Sequence, residues 1–130
     1  RAPLTSLVEN MNKLELLQQF AEQIRKSYGA ISSNISGVVE ALNSGEEVDE
    51  KLKKHIEQII AYLKLVEQKI IVEKKLADNS EKLRLLKEEV TKIKKLKSYL
   101  KIAETNPSHS VIVAINSLNN SLMALFARHA

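Results

Sequence analysis

Residues 17–42 read LQQFAEQIRKSYGAISSNISGVVEAL. Apolar or aromatic side chains recur at Leu17, Ala21, Ile24, Tyr28, Ile31, Ile35, Val38 and Leu42, in alternating steps of four and three. That rhythm lays one apolar stripe along one side of an α-helix, a coiled-coil-like seam. Upstream, Leu4, Leu7, Met11 and Leu14 keep the rhythm, with a phase slip between Leu14 and Leu17. A three-residue slip overwinds a coiled coil locally rather than ending the helix. Gly29, Ser32, Ser33 and Gly37 weaken the helix and mark Gly29 as the place where it would kink or break. Unbroken from residue 5 to 42, it would run about 57 Å.

Three further segments carry the same pattern. Asn43-Ser44-Gly45 supplies a helix end, and Glu46, Glu47, Asp49 and Glu50 suit the positive end of a second helix. Its seam is Leu52, Ile56, Ile59, Leu63, Val66 and Ile70. Asp78-Asn79-Ser80 predicts a turn with Ser80 as cap, although no Gly or Pro enforces it; one helix over 47–104 fits the sequence as well. The third seam runs Leu83, Leu86, Val90, Ile93 and Leu100, with Lys97 where an apolar residue is expected. Asn106 as cap and Pro107 in the first turn open a fourth helix with the seam Val111, Ile115, Leu118, Leu122 and Leu125. No alternating run bounded by hairpin turns signals a strand. The reading is all-α: one domain over 1–130, an antiparallel bundle of four helices at roughly 5–42, 47–77, 80–104 and 107–128, the first the longest.

Composition agrees. The 130 residues are 44% hydrophobic and 28% charged, too apolar for a disordered chain and rich in helix formers. The absence of Cys excludes disulfides, thiolate catalysis and Cys-ligated metal. No unbroken apolar run approaches the roughly 20 residues of a membrane span. With neither a signal segment nor a span, the chain is expected in the cytoplasm. Its opening Arg1-Ala2-Pro3 reads as a processed product or an excised domain.

Chemistry is sparse. His55, His109 and His129 are the only imidazoles, and none has Glu three residues before it, as a di-iron bundle requires. His-Glu-x-x-His is absent, and Gly29, Gly37 and Gly45 form no phosphate-binding loop. Lys53-Lys54-His55 invites a phosphotransfer reading, but Glu57, Gln58 and Ile59 follow where such modules carry Lys and Gly. The chain therefore reads as a non-enzyme without cofactor, metal or small-molecule substrate.

Three surface features remain. Lys87, Lys94 and Lys101 repeat every seven residues on the third helix with Arg84 beside them, a face that could meet phosphate or anionic lipid. On the second helix Leu65, Ile71 and Val72 fall outside the seam. They either face solvent as a docking strip or are covered by neighbours on two sides of a central helix. The first and fourth helices are poor in charge, and the fourth shows Asn116, Ser117, Asn119, Asn120 and Ser121 instead of Lys and Glu. The expected function is a helical protein–protein interaction module: a scaffold, adaptor or assembly subunit that binds another protein or a second copy through helix faces. The alternative is a peripheral binder of membrane lipid or nucleic acid through the third helix.

Overall fold

A computed structural model describes the chain from Ala2 to His129, and side-chain environments from Ser6 onward. It contains α1 (Ala2–Asn43), α2 (Glu50–Leu76), α3 (Ser80–Ala103) and α4 (His109–His129), and no strand among the described residues. Each helix packs on the next, and α1 closes on α4, giving an antiparallel four-helix bundle.

The helix ends follow from local chemistry. After α1, Gly45 adopts φ +73°, open to glycine without strain. The Gly45 amide then donates to Leu42 O and the Glu46 amide to Ala41 O, which satisfies two of the last carbonyls. Asp49 caps α2, its carboxylate accepting from the Leu52 amide at 2.8 Å. Residues 47–104 form two helices, and the cap of α3 is Asn79 rather than Ser80, accepting from the Lys82 amide at 2.8 Å. At α4 the cap is Ser108 rather than Asn106: its hydroxyl accepts from the Val111 amide and its carbonyl from the Ile112 amide. Pro107 thus precedes the cap. The first helix starts at Ala2 rather than residue 5, and α2 at Glu50 rather than 47. Gly29 does not break α1, because the seam on both sides of it is anchored in one core.

That core joins Ile24, Ile31, Val38 and Leu42 to most of the predicted seams of the other three helices; Leu52 and Leu118 are partly buried against it, and Leu83 lies outside it. Each such side chain, fully buried, contributes about 1.5–3 kcal/mol. In α3 the position read as a gap at Lys97 is filled by Leu96, which is only 2% exposed. Lys97 lies beside it and meets Glu67 of α2 at 2.5 Å, so the near-buried carboxylate has its counter-charge. By length and composition α4 could cross a membrane, although its Asn and Ser residues interrupt the apolar run. In the bundle it contributes Val111, Ile115, Leu122, Leu125 and Phe126 to the core.

Candidate functional site: the unpartnered face of the first helix

Helix lengths set the site. At 1.5 Å per residue, the 42 residues of α1 span about 63 Å and the 27 of α2 about 40 Å. Asn34 donates from Nδ2 to Gln58 Oε1 at 3.0 Å, which fixes the register of α1 against α2. Counting outward from that pair in opposite directions sets Leu76, the end of α2, beside Leu16. Asn43 and Asn116 fix α4 in the same way and set its end, His129, beside Ala30. The first turns of α1 therefore project past the bundle. Leu7 (56%), Met11 (57%) and Leu14 (53%) are exposed, with Val8 and Leu16 also open. Among the described side chains of α1, the first that is fully buried is Ile24.

This apolar segment does not share the core-facing side of α1. Turning 100° per residue, Leu7, Met11 and Leu14 lie about 125° around the helix from Ile24, Ile31 and Val38. The phase slip between Leu14 and Leu17 is this rotation. Rhythm alone does not tell the upstream residues from the core-facing ones. The signal that separates them is the slip taken together with the excess length of α1.

The second surface is the seam between α1 and α4. From Ser27 to Asn43 the only charged residue is Glu40, and from Thr105 to Ala127 there is none. A cleft of about 80 Å³ opens there, lined by Tyr28, Ile31, Ser32, Ile35, Ser36, Asn119 and Met123, with Tyr62 and Phe126 beneath. The two rings meet edge to face with centroids 6.3 Å apart. The Tyr62 hydroxyl is buried without a hydrogen-bond partner, and burial, with Tyr28 nearby, pushes its pKa up to about 12. It stays a protonated donor at neutral pH.

The remaining sequence-derived positions divide. On α2, Val72 is buried, while Leu65 and Ile71 are half-buried against the core. The three do not form a strip facing solvent, because α2 lies between α1 and α3 and needs apolar surface on two sides. On α3, Arg84 pairs with Glu81 and Glu88 at 2.7 Å, and Lys101 pairs with Glu57 and Glu104. The Lys101 hydrogen bond holds the Glu57 carboxyl below the usual range, whereas burial raises that of Glu104. Lys87 and Lys94 are exposed and have no ion pair among the described residues. Half of the anionic-surface set is thus committed to neighbouring carboxylates.

Among the described residues no three His, Cys, Asp or Glu side chains cluster as metal ligands would. Comparison of the chain with protein-family models, with curated proteins and with solved structures finds no match.

Proposed function

We propose that the chain is a non-enzymatic helical interaction module, a scaffold, adaptor or assembly subunit, that engages another protein chain through the projecting end of α1. The observation that carries this reading is the exposure of Leu7, Met11 and Leu14 on a helix segment that runs beyond the ends of α2 and α4. A free helix of about four turns is marginal in water, and large apolar side chains in contact with solvent contribute nothing to its stability. A second helix laid along them would remove that surface from water and hold the segment helical, the mode in which an amphipathic helix meets a partner through anchors three and four apart.

The test is a photo-crosslinking residue at position 11 in cells that make the chain. An adduct with a protein of defined mass, lost when Leu7 and Leu14 become Glu, supports the reading. No adduct at position 11, or an equal yield from the same residue placed at position 94 on α3, overturns it.

A further inference from the structure

The line through Leu7, Met11 and Leu14 continues straight along α1 in steps of three and four, and it divides into thirds. Gln18, Glu22 and Arg25 follow the apolar third, and Gly29, Ser33 and Ser36 follow them. All nine residues are exposed. One face thus carries large apolar groups at one end, both signs of charge in the middle and small side chains at the other end. A face graded in this way fits itself when reversed.

We propose that α1 pairs antiparallel with α1 of a second copy, Leu7 and Met11 of each projecting end lying on Ser33 and Gly29 of the other and Leu14 against the side-chain stems of Arg25 and Lys26. This rests on the interaction-module reading above and names the partner. With the two-fold axis level with Phe20, Met11 of one copy stands over Gly29 of the other, and Leu7 over Ser33. The same register brings Glu15 of each copy beside Arg25 and Lys26 of the other, so unlike charges meet on both sides of the axis. In a parallel pairing each of these groups would instead meet its own like, which is repulsive. Closed two-fold pairing of this kind is isologous and ends at the dimer.

Two glycines of α1, Gly29 and Gly37, leave open space where a Cβ would stand, and of the two only Gly29 lies on this face. A Cβ built there meets nothing within 4 Å, and its helix conformation does not need glycine. Nothing within this chain offsets the helix-weakening effect of glycine at that position. A second helix crossing close above it does, because small residues let two helices approach.

The experiment is equilibrium sedimentation of the purified full chain from micromolar to millimolar concentration, with circular dichroism on each variant. The expected result is a monomer–dimer equilibrium. Glu15→Lys and Lys26→Glu should each weaken the dimer by about tenfold or more, and the two together should restore it. Gly29→Leu should raise the melting temperature of the dilute monomer through better helix propensity, yet weaken the dimer. A merely structural role for Gly29 would not give these opposite signs. A chain that is monomeric throughout overturns the proposal, as does a charge reversal without restoration or a Gly29→Leu variant that dimerises like the parent. In the monomeric case, a position-11 photo-adduct with a different protein leaves the interaction-module reading standing, while its absence removes both.

Discussion

Asn43, in the last turn of α1, and Asn116, two turns into α4, hydrogen-bond each other in both directions. Asn43 Nδ2 donates to Asn116 Oδ1 at 3.1 Å, and Asn116 Nδ2 donates to Asn43 Oδ1 at 2.7 Å. The pair ties the two charge-poor helices in register where no ion pair could. Replacing either residue with Ala should cost about 0.5–1.5 kcal/mol. Because the bonds are shared, the double variant should melt close to the worse single one. Additive losses in a double-mutant cycle would show that the two amides act separately.

Tyr62→Phe should stabilise the protein or leave it unchanged. The ring keeps its edge-to-face contact with Phe126, while a buried hydroxyl without a partner is removed. Such a group costs about 1–3 kcal/mol in desolvation, which sets the upper limit of the gain. The raised pKa has a second consequence: above pH 10 the unfolded chain loses a proton that the folded one retains up to about 12. Parent stability should therefore fall in that window, and the Phe variant should lose part of the fall. Thermal melts at pH 7 and 11 decide both points.

Glu67 and Lys97 should prove interdependent. Their side chains are 12% and 22% exposed, so removing the carboxylate leaves an ammonium group only partly reached by water. Glu67→Ala should cost about 1–3 kcal/mol, since residual solvent access keeps it under the full cost of breaking a buried pair. Glu81→Ala, at an exposed pair, should cost under about 1 kcal/mol. Chemical denaturation of the two variants side by side gives the comparison.

His129 should make the end of α4 sensitive to acid. Its Nδ1 accepts from Lys69 Nζ at 2.8 Å, and burial, with the charges of Lys69 and Arg128, lowers its pKa to about 3. The folded state therefore keeps it neutral. Below about pH 6.5 the unfolded chain takes up a proton that the folded chain refuses, so stability declines as pH falls from there towards 3. His129→Gln should reduce the drop in melting temperature between pH 7 and 4.5. An identical drop in parent and variant would place the imidazole in water.

Leu122→Ala should cost about 2–5 kcal/mol, because Leu122 is 1% exposed and its loss opens a cavity. Leu14→Ala, on the projecting part of α1, should leave the melting point of the dilute chain almost unchanged. Equal losses would show that the projecting turns fold back onto the bundle.

The fold was legible because period, caps and turns agreed along the chain. All four helices appear where the apolar rhythm places them, with ends displaced by a few residues where a neighbouring side chain took the cap. Less legible was which side of a helix stays open. Spacing shows that Leu65 and Val72 lie off one seam, but not that α2 has neighbours on two sides. It shows Lys97 at a seam position, but not that Leu96 turns in and lets the ammonium reach Glu67. The free face of α1 was the hardest to recognise, since Leu7 and Ile31 carry equally good rhythm. Only the register of α2 and α4 shows that the former has nothing beside it.

The continuity of α1 through Gly29 has a mechanical consequence. One stiff rod runs from the projecting turns into the core, so a sideways load applied near Leu7 becomes a torque on the bundle. The fulcrum lies between Leu17 and Ile24, where the rod first gains support. Beyond it the load is carried by Ile31 and Val38 in the core they share with the other helices, chiefly α2, not by the loops. A partner at the far end would thus act through leverage on the packing of α1 against α2 and α4.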